Sequence, residues 1–237
     1  GPLIGPHAPK KTPVDGTILT FNDEFDLGLD TFAGVEAQVA AMADDIAYNA
    51  HDIDDGVRAG LFRLEDFRGV PLAGAAVDDV LSANPDLEQS RAVNEVTRRV
   101  IDAMVVDLLD ETKRRIGAAK PASADEVRGL DQVVVSFSGG LAEADGALKA
   151  FLFENMYRHA RVNEMTAKAR GVVTDLFGHF FLRPEDLPEE WQVHLTRAPD
   201  EADRARVIAD YIAGMTDRYA LQQHATINGG TAPRSDV

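Results

Sequence analysis

The sequence between residues 36 and 62 reads EAQVAAMADDIAYNAHDIDDGVRAGLF and is both amphipathic and acidic. Its apolar residues recur at steps of three and four, which is the spacing of one face of an α-helix. The apolar face consists of Val39, Met42, Ile46, Ala50, Ile53 and Val57. We therefore predict an amphipathic helix that begins near residue 30 and ends near residue 60.

Helical patterns continue through the rest of the chain and predict an all-α fold, a predominantly helical bundle with at most a short strand pair. The further predicted helices cover residues 74–82, 87–116, 145–181 and 200–223, and a strand-like run covers 133–137. Val93, Val96, Val100, Met104 and Leu108 form the apolar stripe of the longest of them. Gly and Pro recur through residues 1–30 and predict an irregular lead-in before a helical domain over residues 31–227. Residues 228–237 are predicted to be a frayed tail.

The composition excludes several functional classes. The chain has 237 residues and no cysteine, which excludes thiolate nucleophiles and zinc sites built from cysteine. Its net charge of −16 makes nucleic acid an unlikely partner, because phosphate contacts need clustered Lys and Arg. No apolar run approaches the roughly 18 residues that span a bilayer, so we expect a cytoplasmic protein without membrane contact.

The polar side of the predicted helix is a candidate cation site. At 100° per residue the acidic and aromatic side chains fall together opposite the apolar face, and these are Asp44, Tyr48, Asp52 and Asp55. A solvated helix face is the alternative, although such a face usually also carries Lys or Glu. Asp is a poor residue in the middle of a helix, and a bound cation would offset the repulsion. Oxygen ligands suit Mg²⁺ or Mn²⁺, yet one helix supplies only half of such a site.

A basic cluster later in the chain is the complementary feature. Arg158, Arg161, Lys168 and Arg170 lie in a stretch that holds one Glu. The arginine fork matches phosphate oxygens, so Arg158 or Arg161 is a candidate to bind a polyphosphate. The alternative is a set of surface arginines that pair with the many carboxylates of this acidic chain.

Three motifs together resemble the deoxyguanosinetriphosphate triphosphohydrolase-like branch of the HD-domain phosphohydrolases. They are the acidic stretch 36–62, FLFENMYRHARVNEMTAKARGVVTDLF at 151–177 and VIADYIAGMTDRYAL at 207–221. The resemblance implies an all-α enzyme that uses a divalent metal, Mg²⁺, Mn²⁺ or similar, to cleave a deoxynucleoside triphosphate (dNTP) into a deoxynucleoside and triphosphate. It also implies a homo-oligomer and a dNTP that can act as an effector.

The resemblance assigns roles to individual residues. It makes Asp44 a metal ligand, with Asp45 the alternative if the register is shifted by one. It makes Tyr48 a residue that packs on the substrate sugar and Asp52 a carboxylate near the phosphates or sugar. Arg161 matches an arginine of the substrate pocket.

The His51-Asp52 dipeptide invites identification as the metal-binding HD pair, but the resemblance contradicts this. The family's HD pair lies upstream of the acidic motif, and no position here matches it, nor the upstream His ligand, nor the catalytic His. We therefore expect this chain to be the C-terminal portion of such an enzyme, inactive without an N-terminal half and without a catalytic residue of its own. The alternatives are a non-catalytic nucleotide-binding module and a helical oligomerisation module.

Overall fold

The chain divides into two compact units, Gly1–Arg158 and His159–Val237, in a computed structural model that describes residues 2–6, 8 and 13–229. Every regular element in these described ranges is helical, which confirms the all-α prediction. The boundary at residue 158 falls inside the helical domain that the sequence predicts over residues 31–227. Within the described ranges, no helix combines the length and the apolar composition needed to cross a membrane.

Over residues 2–6, 8 and 13–158, the first unit contains six α-helices. They are α1 (Gly16–Glu24), α2 (Val35–Arg58), α3 (Ala73–Ala83), α4 (Gln89–Ala119), α5 (Ala124–Arg128) and α6 (Gly139–Leu152). A 3₁₀ turn, Leu64–Phe67, precedes α3, and a π-helical turn, Phe153–Tyr157, continues α6. Both α2 and α3 pack on α4, so the long α4 is the centre of this unit.

The lead-in is not irregular throughout, and the prediction for residues 1–30 is wrong where α1 forms. The Asp15 side chain caps α1 by accepting a hydrogen bond from the Thr17 N–H at 2.8 Å. Such a cap provides an acceptor for one of the N–H groups that a short helix leaves unpaired at its start. The many glycines and prolines of this segment led to the prediction that it is irregular. No residue of α1 is buried. His7 and the tail residues 230–237 lie outside the described residues.

The apolar face of α2 is predicted correctly except at its first turn. Ile46, Ala50, Ile53 and Val57 are buried, and the whole predicted stripe of α4 is buried too. Val39, by contrast, is 44% exposed, because Gln38 takes the inward position beside it. The Gln38 amide donates to the Ala33 carbonyl at 2.7 Å, so this buried polar group is satisfied.

The run 133–137 is not a strand, although it is apolar and β-branched. The Gln38 side-chain carbonyl accepts from the N–H groups of both Val134 and Val135, at 3.0 and 3.1 Å. A single side chain therefore satisfies backbone donors that a strand would pair with a neighbouring strand. The following turn begins α6, where Ser138 is the N-cap and its N–H and hydroxyl donate to Asp107.

The part of the second unit that the structure describes, residues 159–229, contains four α-helices around a small apolar core. They are α7 (Ala160–Leu182), α8 (Glu189–Thr196), α9 (Glu201–Ala213) and α10 (Asp217–Ile227). The core residues are Leu176, Phe180, Leu187, Ile208, Tyr211 and Ile212. Asp200 caps α9, as its position predicts.

Two predicted helices are each divided in the structure. The stretch 145–181 comprises α6, the π-helical turn and α7, because His159 starts a new helix by accepting from the Arg161 N–H. The stretch 200–223 is divided after Gly214, because Thr216 caps α10 through its bond from the Tyr219 N–H. The apolar pattern of the sequence continues across both breaks, and local caps divide the helices there.

Candidate functional site

Helix α2 presents the predicted acidic and aromatic residues on its solvent side. Asp44 and Tyr48 are exposed, Tyr48 to 61%, and Asp52 is half-buried. Their spacing of four residues places them on successive turns of one face, because the helix repeats every 3.6 residues. Burial of Ile46 and Ile53 fixes which side of α2 faces the core and therefore which side remains open.

Asp44 and Asp45 are adjacent in sequence but differ in their surroundings. The Asp45 carboxylate accepts a hydrogen bond from the Lys149 ammonium of α6 at 3.1 Å. Within the described part of the chain, no side chain forms a hydrogen bond or an ion pair with the Asp44 carboxylate. The oxygens of Asp44 are thus available to a ligand from outside, whereas Asp45 is already paired.

A buried polar network lies beneath this face, between α2 and α6. The Asn49 amide donates to one oxygen of Asp145 at 2.7 Å, and the Lys149 ammonium lies 2.9 Å from the other. Asn49 is 3% exposed and Asp145 is 9% exposed, so both contribute to the contact between the helices. Lys149 joins the network to Asp45 on the surface. Its two carboxylate partners raise the pKa of Lys149, although burial alone would lower it.

The π-helical turn brings Tyr157 to the same surface. In a continuous α-helix Tyr157 would be rotated by about 80° from Lys149, eight residues earlier. The turn instead closes with the wider π-type bond from the Arg158 N–H to the Phe153 carbonyl, at 2.9 Å. A π turn advances the chain by less rotation per residue. Tyr157 therefore comes back toward the side of α6 that carries Lys149 and faces α2.

The Tyr157 hydroxyl donates to the Asp52 carboxylate at 2.7 Å. This hydrogen bond is the main cause that raises the pKa of Tyr157 to about 12, and burial and the nearby Tyr48 act in the same direction. The proton is held more tightly by the folded state, so the associated stabilisation is fully present at neutral pH and is lost as the pH rises from about 10, the ordinary pKa of tyrosine, through about 12.

The sequence analysis did not identify four residues at or beneath this face, and they are Asn49, Asp145, Lys149 and Tyr157. Three of them carried a signal. Asp145 and Lys149 are an i, i+4 pair of opposite charge on a helix whose other residues, apart from Glu143, are small or apolar. Asn49 lies between buried residues of α2, where a polar side chain needs a partner. The position of Tyr157 depends on the π-helical turn, for which the sequence has no comparable signal.

Arg161 belongs to the second unit and lies in the first turn of α7. Its neighbours in the basic cluster have acidic partners, as the alternative interpretation predicts. Arg158 is 3.6 Å from Glu154, and Lys168 is 2.8 Å from Glu164. The three residues of α2 thus share one face in the first unit, and Arg161 is not part of that unit.

The histidines do not form a metal site in the described ranges. His179 and His224 each bond an aspartate at 2.8 Å, Asp186 and Asp175 respectively. His51 is exposed on α2. No group of three or more His, Asp or Glu residues in the ranges 2–6, 8 and 13–229 is arranged to hold a metal ion. The residues described here therefore do not suffice for the divalent metal that the resemblance implies, and Asp44 is one ligand at most.

A groove of about 520 Å³ along α4 is also lined by acidic residues. The hydrogen bonds of two of its carboxylates explain why they are there. Asp107 binds the N–H and hydroxyl of Ser138, as described above. Glu111 accepts hydrogen bonds from Arg114 and Arg115, whose guanidinium groups hold the pKa of Glu111 down at about 2. These carboxylates hold α4 and its neighbouring loops together.

Comparison with known proteins identifies relatives over most of the chain. Residues 135–226 match a family model described as the phosphohydrolase-associated domain. A deoxyguanosinetriphosphate triphosphohydrolase-like protein of Azorhizobium caulinodans is 53% identical over 200 residues, 84% of this chain and 50% of that protein. Proteins of the same description from Caulobacter vibrioides and Parvibaculum lavamentivorans are 50% identical over 207 residues and 44% identical over 235 residues.

The matches cover 87% and 99% of this chain and 52% and 59% of those two relatives. The chain thus spans about half the length of the curated relatives it matches. The agreement includes the acidic helix and the second unit, and the fold is all-α throughout the described ranges. The chain is therefore a homologue of the deoxyguanosinetriphosphate triphosphohydrolase-like proteins, and it contains a phosphohydrolase-associated domain.

Proposed function

We propose that this chain takes part in the hydrolysis of dNTPs to deoxynucleoside and triphosphate, and that it supplies part of the substrate-binding surface. The names of its relatives support this substrate class. The observation that carries the proposal is the open face of α2. Asp44, Tyr48 and Asp52 lie on successive turns of that face, beside the ammonium group of Lys149.

Asp44 is the metal ligand in this proposal, and Asp45 is not. Asp45 is paired with Lys149, whereas the oxygens of Asp44 face solvent. Carboxylate oxygens suit Mg²⁺ and Mn²⁺, so Asp44 contributes one ligand of a divalent ion. The other ligands have to come from outside the described residues, which form no metal site by themselves.

The remaining residues of the face bind and orient the nucleotide. The exposed ring of Tyr48 offers a flat apolar surface to the sugar. Asp52, fixed by Tyr157, accepts a hydrogen bond from a sugar hydroxyl group or lies near the phosphates. Lys149 contributes a positive charge that attracts the phosphates. Arg161 is proposed as a phosphate-binding residue on the strength of the family resemblance and the geometry of its guanidinium fork.

The test of this proposal compares the chain alone with the chain joined to the part of the Parvibaculum lavamentivorans protein that it does not span. We expect no triphosphate release from dGTP by the chain alone, because a single carboxylate does not hold a catalytic metal in water. We expect release by the joined protein with Mg²⁺ or Mn²⁺. Asp44→Asn should abolish that release, while Asp45→Asn, the matched control with the same charge change, should retain most of it.

Two results would contradict the proposal. Appreciable turnover by the 237-residue chain alone would show that it holds a complete centre. Full activity of the joined protein with Asp44→Asn would remove Asp44 from the metal site. The products distinguish the reaction class, because stepwise phosphate removal releases pyrophosphate or phosphate in place of triphosphate.

The second candidate is a non-catalytic module that binds a dNTP as an effector or assembles the protein into a homo-oligomer. An exposed apolar row on α4 favours assembly. Ile101, Val105 and Leu109 follow one another by one helical turn and are 38%, 38% and 53% exposed. Sedimentation analysis of the chain and of a Val105→Glu variant tests this candidate, since a dimer that persists in the variant does not use this row.

A further inference from the structure

Asp145 is a charged residue of the first unit that is almost completely buried. Its side chain is 12% exposed, close to the 11% of the Glu111 side chain on α4. The burial of a carboxylate is unfavourable unless hydrogen bonds and an opposite charge compensate it. Apart from Gln38 and Asn49, the other buried residues of α2 and α6 are apolar, so the packing of these helices does not by itself explain the choice of this residue.

The contacts of Asp145 form an ordered chain from the interior to the surface. The buried Asn49 amide holds one carboxylate oxygen at 2.7 Å, and the Lys149 ammonium lies 2.9 Å from the other. Asn49 therefore fixes the carboxylate, and the carboxylate fixes the ammonium. The lysine side chain is 43% exposed, so the chain of contacts ends at the surface.

A role in packing alone is the competing explanation. Apolar residues of similar volume often stabilise a helix contact as well as a buried ion pair does, or better. The polar arrangement has a consequence that an apolar one lacks. A lysine ammonium, which otherwise samples many positions on a flexible four-carbon stem, is held at a fixed place. That place is next to Asp45, one turn from Tyr48.

We propose that Asp145 is a positioning residue. Asn49 fixes its carboxylate, and the carboxylate holds the Lys149 ammonium beside the open face of α2, where the ammonium binds the phosphate groups of a nucleotide. The inference rests on the proposed function, because it assumes that this face binds a triphosphate. Fixing the cation in advance removes the ordering cost from the binding step.

Two substitutions that change the charge by the same amount distinguish a positioning role of Asp145 from a purely electrostatic one. Asp145→Asn and Asp45→Asn each remove one negative charge near Lys149. If only charge matters, both strengthen the binding of inorganic tripolyphosphate to the chain. Positioning predicts opposite signs. Asp45→Asn strengthens binding, because it removes a repelling carboxylate while Asp145 still holds the ammonium. Asp145→Asn releases the ammonium and weakens binding roughly tenfold, the effect of about one charge-assisted hydrogen bond.

Titration calorimetry with tripolyphosphate, without added metal, measures both variants and the Lys149→Met variant. In the Lys149→Met background, Asp145→Asn should cause no further loss of affinity, because the residue acts through the lysine. The proposal would be overturned if Asp145→Asn strengthened the binding of tripolyphosphate, as Asp45→Asn is expected to do. Circular dichroism and a melting curve establish that each variant is folded.

A second measurement does not depend on any ligand. The rate at which an acylating reagent labels Lys149, relative to the exposed Lys113, reports how firmly the ammonium is held. We expect slow labelling in the unchanged chain and several-fold faster labelling with Asp145→Asn. If Asp145→Asn does not fold, Asn49→Ala releases the carboxylate while both charges remain, and the same acceleration is expected.

The two measurements distinguish the two proposals. An unchanged chain that binds no tripolyphosphate counts against the proposed nucleotide site, whatever the labelling shows. Labelling of Lys149 that is indifferent to both Asp145→Asn and Asn49→Ala overturns the positioning role, whatever the binding shows.

Discussion

Helix α2 has two contact sides that differ in chemistry. Against α4 it presents Ile46, Ile53 and Val57, which are buried among other apolar side chains. Against α6 and the π-helical turn it presents Asp45, Asn49 and Asp52, each with a polar partner. Apolar burial gives free energy without requiring a particular geometry, whereas polar contacts add little net stability and fix particular atoms.

The difference indicates that the two sides of α2 have different roles. The α4 side contributes to the stability of the first unit. The α6 side determines where a cation, a phenol and two carboxylates lie relative to solvent. Substitutions on the two sides should therefore differ in which quantity they change, the free energy of unfolding or the properties of individual groups at the surface.

The largest expected effect is on the apolar side. Ile53 is fully buried, and Ile53→Ala removes apolar contacts and leaves a cavity, which should lower the free energy of unfolding by about 2–5 kcal/mol. Urea denaturation followed by circular dichroism measures the change. Val39→Ala is the matched control on the same helix, since Val39 is exposed, and its effect should stay within about 0.5 kcal/mol. Equal effects at the two positions would contradict the burial described here.

A smaller loss of stability is expected from the buried end of the polar side. Asn49→Ala leaves an oxygen of Asp145 without its donor, which should lower the free energy of unfolding by about 1–3 kcal/mol. The same urea measurement applies, with Asn94→Ala on the exposed surface of α4 as the control. A loss as small as that of the control would mean that water replaces the amide and that the network is not rigid.

The apolar side is also the part of the molecule that the sequence predicts well. The three- and four-residue steps in α2 and α4 identify Ile46, Ile53, Val96 and Val100 as core residues because periodicity is a local property. The failure at Val39 has a cause outside the helix, since Gln38 turns inward to bind the backbone of residues 134 and 135. A side chain that satisfies a distant loop leaves no periodic signal.

The polar side is predicted only in part, for a related reason. The helical wheel places Asp44, Tyr48 and Asp52 on one face, and the exposures in the structure agree with that placement. The wheel says nothing of which residue of α6 lies opposite. The pairing of Asp45 with Lys149 and of Asp52 with Tyr157 connects residues more than 100 positions apart. It depends on helix packing and on the π-helical turn, which are tertiary properties.

A change in acidity, with little change in stability, is expected at the outer end of the polar side. Asp52→Asn keeps an acceptor for the Tyr157 hydroxyl but removes the negative charge that opposes ionisation. The pKa of Tyr157 should fall from about 12 toward the ordinary value of about 10. Ultraviolet titration of the phenolate measures it, and Tyr157→Phe identifies which part of the titration belongs to this residue. A high pKa that persists in Asp52→Asn would assign the shift to burial.

The smallest effect on stability is expected at Asp44. Its carboxylate is exposed and has no partner in the described part of the chain, and the adjacent residue on α2, Asp45, is also acidic. Asp44→Asn should therefore leave the free energy of unfolding unchanged within about 0.5 kcal/mol, or raise it slightly by relieving repulsion. Urea denaturation measures this change too, and the loss expected for Ile53→Ala is the reference with which it is compared. A clear loss of stability in Asp44→Asn would show that the fold uses this carboxylate, and would count against its proposed role as a metal ligand. No loss would mean that folding gives no reason for an acidic residue at this position in the middle of a helix, as the proposed role expects.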